Sequence, residues 1–538
     1  MSEKRATQII DQLRKKKTDR EGSWESHWEE IAERVLTRQS KIFFNSNPSF
    51  TKGEKKTEKQ FDASPEIALG RFASVMETMI SPTHQMWHNL RASDESLNRK
   101  HAVRVYLEQI NKILWRQRYR STANYQSQQY ETYMSLGAYG TGALWIDAAD
   151  GGGLRYRSMH LSEVYFDINH QGVVDTIYRR YEQTARQLMQ EFDEPSKQIR
   201  EAADKDPDKK FWIIHCVRPN GEMDSKRVDF RGMEFSSIYV DEDNKFILSE
   251  GGFATFPMAL SRYITTPGEI YGRSPAMLAL PAIKSLNEMK KSVLTQGHRI
   301  NNPALFVHDD GIMDGLNIAP NAVNYGGVSK DGRMMVHTLP TGNLAAGQEM
   351  MQMEKDIIND AFLVNIFQVL IDRRGQTPPT ATEVLELTKE KGSLLAPTMG
   401  RQQSEAQGPM IERELDLLAK QGIIPPMPPE LIEAAGEFEI EYDSPLARAQ
   451  KAEQASGMFR SLELATTHAN VTQDPAAFDW FNMDVIMPQV MDINNVPASW
   501  QSSQKQVDAK REGRNQQAET QQLIEAAPAA AGIIKAVQ

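Results

Sequence analysis

Residues 268–305 read GEIYGRSPAMLALPAIKSLNEMKKSVLTQGHRINNPAL. A strained turn opens the stretch, and apolar residues then recur at helical spacing from about Ser274 to Ile300, until Asn302-Pro303 breaks the pattern. Ala276, Leu280, Ile283, Leu286 and Leu294 are available to pack on a neighbour. Lys284, Lys291 and, one turn on, Thr295 share another face. Nothing in the stretch has the residues of an active site. A long helix with polar and basic faces, set between two β-rich regions, points to a structural or channel element.

The chain on either side supports that reading. Residues 304–343 are rich in turns, with Asp310-Gly311, Asp314-Gly315, Gly326-Gly327 and Asp331-Gly332 between short β-like runs. A second long helix is expected from about Gln348 to Ile371, charged early and apolar late. Two long helices therefore bracket a small β-rich tip, a stalk with a head. RRGQTPP at 373–379 ends the second helix, and Thr380 to Glu383 has the form of a capping box. The helix it starts is expected to continue, kinked at Pro397, to Ala419. After the IIPPMPP linker come a strand over Phe438–Tyr442 and a helix from Ser444. Beyond Trp500 the chain turns polar and then Ala-rich, and a mobile tail is expected.

The part before Gly268 mixes helices and strands. Trp24, Trp28, Ile31 and Val35 recur at helical spacing. Ser64-Pro65-Glu66 supplies a cap, a first-turn proline and an acid where the helix dipole is positive. A further helix carries Val103, Leu107, Ile110 and Leu114 on one face. GAYGTGALWID, from Gly137, suggests a tight helix-to-strand turn. Short strands are expected around Tyr156, Val164–Phe166, Val173–Tyr181, Phe211–Arg218, Ser237–Val240 and Met258–Ile264. Thr184 to Gln187 is another capping box, opening a helix to Phe192. No repeating βαβ unit is visible, so the class is α+β.

Composition bounds the function. The 538 residues suffice for several domains of about 100–200 residues. With 40% hydrophobic and 25% charged residues, the chain is of the folded, soluble kind. Cys216 is the single cysteine and lies in the apolar run FWIIHCV, so no internal disulfide can form and a reducing compartment such as cytoplasm is favoured. Ala361–Ile371 is too short and too interrupted to span a bilayer. The basic N-terminus lacks the apolar core of a secretory signal and is expected as an amphipathic helix with Ile9, Ile10 and Leu13 on one side. A net charge of −10 argues against a protein that grips nucleic acid over a broad surface. It is compatible with a passage that keeps DNA mobile, and equally with no DNA role.

Catalytic motifs are wanting. KGEKKTEK at 52–59 lacks phosphate-loop spacing, and the glycines of GAYGTG are not in dinucleotide-binding order. His84 and His88 are four apart but lack the glutamate that follows the first histidine in zinc proteases. Asp241, Asp243 and Asn244 start like a calcium loop, but Phe246 stands where that loop needs glycine, so an ordinary hairpin is the simpler reading. His308-Asp309-Asp310 could hold a divalent ion, yet an Asp-Gly turn accounts for the acids. No metal, cofactor or enzymatic activity is expected. Lys284 and Lys291 read simply as a solvated helix side, and Arg373 and Arg374 as complements to a helix C-terminus.

Several segments, in order, carry a family resemblance: FDASPEIALGRFASVMETMISPTHQMWHNL, YETYMSLGAYGTGALWID, MHLSEVYFDINHQGVVDTIYRRYEQTARQ, EIYGRSPAMLALPAIKSLNEM, TATEVLELTKEK and EYDSPLARAQKAEQASG. The chain resembles the podovirus-type bacteriophage portal, or head-to-tail connector, proteins. The basic N-terminal helix and the tail after Trp500 match least well. The resemblance implies a portal fold assembled as a ring, typically of twelve copies, at one capsid vertex. Residues 1–270 would form an α/β wing, 271–300 the first stem helix, 301–343 a β-rich clip and 344–372 the second stem helix. Residues 373–380 would be a tunnel loop, 381–443 a wing return, 444–500 a helical crown and 501–538 a flexible tail.

What the resemblance implies for function is a passive conduit through which viral DNA is packaged and ejected. Lys284, Lys291, Arg373 and Arg374 would face the DNA and touch phosphates without reading sequence. Gly375, Gln376, Thr377 and Pro378 would form the tunnel loop, and Asp309, Asp310 and Asp314 the clip surface for docking. Expected partners are further copies of the chain, the terminase large subunit, tail adaptor or nozzle proteins, the major capsid protein, scaffolding protein, internal core proteins and double-stranded DNA, but no membrane. The expected location is the virion's portal vertex, with host cytoplasm during assembly. The rival readings are a virion enzyme that processes nucleic acid and a scaffold that forms no ring.

Overall fold

The computed structural model describes residues 2–43, 56–57, 59–98, 100–224, 226–227, 229–307, 316–319, 321–329, 331–338, 344–364, 397–433, 438–442, 445–472, 475–493, 496, 500–502, 505–518 and 520. In chain order the elements are α1 (Ser2–Glu21), α2 (Trp24–Val35), α3 (Ser64–Ile80), β1 (His88–Ala92), α4 (Glu95–Asn98), α5 (His101–Arg118) and α6 (Tyr125–Tyr139). Then follow β2 (Thr141–Ala148), β3 (Leu154–Met159), β4 (Val164–Ile168), β5 (Val174–Thr184), α7 (Ala185–Glu191), α8 (Lys197–Lys205) and β6 (Lys210–Pro219). Next are β7 (Phe235–Asp241), β8 (Phe246–Phe253), β9 (Met258–Arg262), α9 (Pro275–Asn301), β10 (Leu305–Val307), β11 (Val336–Thr338) and α10 (Leu344–Ala361). The last are α11 (Gly408–Lys420), α12 (Pro429–Glu433), β12 (Phe438–Tyr442), α13 (Pro445–Thr472) and α14 (Met483–Ile493). Helix and strand are mixed, as an α+β reading requires.

The chain divides into two compact units, of which the first comprises residues 1–77, 127–145 and 158–378. Its centre is an antiparallel sheet in the order β4-β5-β6-β7-β8. Successive side chains of a strand point to opposite faces, so Ile213 and Ile214 serve two different cores. On one face α1 lays Ala6, Ile9, Ile10 and Leu13 against Tyr165, Tyr178, Ile214, Cys216, Ile238 and Val240. On the other face α7 and α8 bring Leu188, Phe192 and Ile199 onto Tyr181, Phe211, Ile213 and Leu248. The N-terminal helix is thus amphipathic and packed. Burial pushes the Cys216 thiol up to about 12, which keeps it from forming a thiolate.

Arg20 locks α1 in place. Its Nε donates to Glu25 Oε1 at 2.8 Å, and Nη1 donates to the carbonyls of Leu161 and Val164, each at 2.8 Å. The guanidinium lies 3.6 Å from the Tyr165 ring centroid. A buried charge held in this way needs such partners to be tolerated. The capping box at α7 is formed: Thr184 Oγ1 accepts from Gln187 N, and Gln187 Oε1 accepts from Thr184 N.

Several elements differ from the sequence expectation. Strand β8 pairs along β7, although its SEGGF end has little strand character. Helix α10 stops at Ala361 instead of Ile371, and Leu363 takes φ 60° just beyond it. Residues 505–518 are helical, a local conformation the sequence reading did not assign to this tail.

The second unit comprises residues 78–126, 146–157 and 379–538. In it β1 pairs antiparallel with β12, His88 opposite Tyr442 and Ala92 opposite Phe438. The helix leading into α11 widens to a π turn at residues 403–407, where the Gly408 N–H reaches back to the Gln403 carbonyl. Pro409 is the local cause, because its ring has no N–H and crowds the carbonyl four residues earlier. The hydroxyl of Tyr442 donates to the same Gln403 carbonyl at 3.0 Å, and Gln407 Nε2 donates to Ile80 O at 3.0 Å.

Candidate functional site

Helices α9 and α10 pair in the first unit, and β10 pairs antiparallel with β11 between them in the chain. Ser274 Oγ caps α9 by accepting from Met277 N at 3.0 Å, and Pro275 fills the first turn. With 27 residues, α9 is about 40 Å long. Its buried residues end at Leu286, and from there to Asn301 it is half-buried or exposed. On α10 only Met351 and Ile358 are buried. At one level a Cβ added to Gly347 would lie 2.9 Å from Val293 Cγ2, so this glycine lets the two helices approach closely.

The base of the hairpin is held by polar contacts. Asn287 Nδ2 donates to Lys59 O at 2.9 Å, while its Oδ1 accepts from Phe61 N at 2.7 Å. Lys355 Nζ stands 3.6 Å from Asp62. Lys284 Nζ meets Glu30 Oε1 of α2 at 2.6 Å. That hydrogen bond is the main reason the Glu30 carboxyl is held below its ordinary range.

Helical spacing placed Lys284, Lys291 and Thr295 together, and all three are exposed on α9. The sequence did not show that Lys284 is ion-paired to Glu30, whose position depends on how α2 packs. Lys291 makes no ion pair among the described residues, and its Nζ lies 5.7 Å from the Phe61 ring centroid. Arg373, Arg374, Gly375, Gln376, Thr377 and Pro378, with Asp309, Asp310 and Asp314, lie outside the described residues.

The hairpin carries chemistry for contact. Phe306 of β10 and Met350, Met353 and Ile357 of α10 are exposed large apolar side chains. The last three were legible as a stripe at i, i+3 and i+7, and sequence reasoning passed over them.

Two motifs weighed as metal sites fold otherwise, and His308-Asp309-Asp310 lies outside the described residues. No group of three or more metal-ligating side chains occurs among the described residues. His88 begins strand β1, so it is not helically spaced from His84, and its Nε2 is occupied by Arg118 Nη1 at 2.8 Å. Asp241 sits in the β7–β8 hairpin and accepts from Ser196 Oγ, Asn244 N and Asn244 Nδ2. The structure thus makes that acid part of an ordinary hairpin. No described helix is long and apolar enough to cross a membrane.

Comparison with known proteins gives one answer. The family described as bacteriophage head to tail connecting protein matches residues 6–500. The portal protein of Salmonella phage epsilon15 is 26% identical over 540 residues, covering 99% of this chain and 95% of its own length. The probable portal protein of Bordetella phage BPP-1 is 26% identical over 484 residues, covering 87% of this chain and 83% of its own. A match that runs from α1 to Trp500 takes in both units with α9 and α10, and on that ground the chain belongs to the bacteriophage head-to-tail connecting proteins.

Proposed function

We propose that this connector acts as a closed ring of copies, twelve in the typical arrangement, through which viral DNA enters and leaves the capsid. The observation that carries the ring is the state of the stem. The outer half of α9 and most of α10 expose apolar and charged side chains that one copy leaves uncovered. Such faces are satisfied when each copy meets the next by the same rotation. In that assembly, residues to about 270 form the wing, α9 and α10 the stem, the β10–β11 region the clip and the part after Tyr442 the crown.

The chain supplies the path, while a terminase docked at the clip, around Asp309, Asp310 and Asp314, hydrolyses ATP. Tail adaptor proteins take that seat afterwards. The ring sits among the major capsid, scaffolding and internal core proteins, having assembled in host cytoplasm. Glu30 balances the charge of Lys284. The phosphate contacts we assign are therefore Arg373 and Arg374, next to the tunnel loop Gly375–Pro378. Repeated around a ring, one arginine becomes a circle of positive charge that steadies the backbone without reading bases.

Changing both Arg373→Ala and Arg374→Ala is expected to leave ring assembly intact and to lower DNA packaging or retention severalfold. Genome content per particle measures it, with ring yield by negative-stain imaging as the control. Normal genome content in that double variant would remove the two arginines from the mechanism.

A further inference from the structure

We propose that the stem closes between copies along a charged and apolar seam. The Glu349, Met350, Met353 and Ile357 face of α10 on one copy seats against the Lys291 and Leu294 side of α9 on the next. The inference rests on the ring reading above and names the surfaces that make the ring.

The apolar part of the seam is visible as exposure. Met350, Met353 and Ile357 are 52%, 62% and 53% exposed, and Leu294 is 45% exposed. They lie away from the side on which α10 buries Met351 and Ile358. One helical turn brings positions three and four apart together, so Met350, Met353 and Ile357 form a continuous stripe.

Charge complementarity selects a second copy as the occupant. Exposed Glu349 and Asp356 border the stripe on α10. The one cation of α10, Lys355, is turned towards Asp62 instead. The exposed side of α9 carries Lys291, His298 and Arg299 against a single acid, Glu288, once the Lys284–Glu30 pair is set aside. An acidic face repels phosphate, so DNA is not what the α10 stripe meets.

Height along the stem then pairs individual residues. The hairpin is antiparallel and Gly347 lies opposite Val293. Glu349 and Lys291, each two residues further towards the base, therefore stand at one level. Rotation about an axis along the stem carries every copy to the same height, so the Glu349 of one copy faces the Lys291 of its neighbour. Two different faces meet, which makes the contact head-to-tail, as ring closure requires. Lys291 is then held in the seam, and phosphate contact falls to the loop arginines.

Cysteine pairing tests the geometry in the full-length protein. Within one copy, positions 291 and 349 lie on opposite outer sides of the hairpin, so a disulfide between them must join two copies. Under mild oxidation the Glu349→Cys, Lys291→Cys double variant should give a ladder of covalent multimers on a denaturing gel, with both single variants as controls. Glu349→Lys and Lys291→Glu should each lower the fraction of closed rings about tenfold, and the combined swap should restore it. Closed rings of the cysteine double variant that stay monomeric on the gel would overturn the seam. So would Lys291→Glu rings at full yield that retain less DNA, since that result puts Lys291 on the channel wall. If the unaltered protein closes no ring, the underlying ring reading fails, and the seam with it.

Discussion

Glu414→Ala is expected to destabilise the second unit by about 3–5 kcal/mol, because it strands a buried guanidinium. Arg118 and Glu414 are both 0% exposed. Arg118 Nε donates to Glu414 Oε1 at 2.9 Å and Nη2 to Oε2 at 2.5 Å, a bidentate pair. Tyr156 Oη donates to Glu414 Oε1 at 2.6 Å. Trp87 covers the guanidinium with its ring centroid 4.6 Å away. Burial alone would lower the Arg118 pKa, but the facing carboxylate reverses this and raises it. Burial, helped by the Arg118 charge, holds His88 neutral and well below its ordinary range.

Removing the carboxylate leaves the Arg118 cation with His88 but no counter-charge and the Tyr156 hydroxyl without its acceptor in a dry site, whereas removing all three polar groups leaves no buried charge. The control is therefore Arg118→Met with Glu414→Met and Tyr156→Phe, which should recover most of the loss. Urea unfolding followed by limited proteolysis of the second unit measures both. A loss below about 1 kcal/mol for Glu414→Ala would mean that water reaches the pair.

The second large effect is at a backbone contact. Gly140 takes φ 79°, and a Cβ there would lie 2.2 Å from Gly272 O. A Cβ on Gly272 would lie 2.2 Å from Gly140 O. Neither obstacle is the end of a flexible side chain, so nothing small can give way. Around this contact Gly272 N donates to Thr141 Oγ1 at 3.0 Å, Ser274 Oγ to Ala138 O at 2.8 Å and Tyr263 N to Gly140 O at 2.9 Å. The α6–β2 turn is thereby bolted to the start of α9.

Gly140→Ala is expected to cost about 4 kcal/mol or more, or to yield insoluble protein, since it adds left-handed backbone strain to the clash. Gly272→Ala should cost about 3 kcal/mol through the clash. Gly151→Ala has open space within 4 Å and should stay within about 1 kcal/mol. Thermal unfolding separates the three, and near-equal melting temperatures would show that the contact yields.

These sites show how far the sequence could be read. GAYGTG and EIYGRS were legible as turns, but not as each other's partners, because more than a hundred residues separate them. The same holds for β1: a five-residue strand has little signal alone and exists because β12 lies beside it. The π turn at 403–407 was not foreseen, since the helical pattern runs through it and only Pro409 hints at it. The end of α10 was misplaced because the apolar pattern continues past Ala361, while the backbone turns at Leu363. For the site, the shared face of Lys284 and Lys291 followed from spacing, whereas the pairing of Lys284 to Glu30 required the packing of α2 on α9.

Local signals therefore determined a good deal of this protein. The α7 capping box, β12 over Phe438–Tyr442 and the Asn302 end of α9 all rest on residues within a few positions of one another. Tertiary structure alone decided which charges are neutralised, which glycines touch and which apolar stripes stay uncovered. Those outcomes depend on contacts between segments far apart in the chain, and a helical or strand period carries no information about what will stand opposite it.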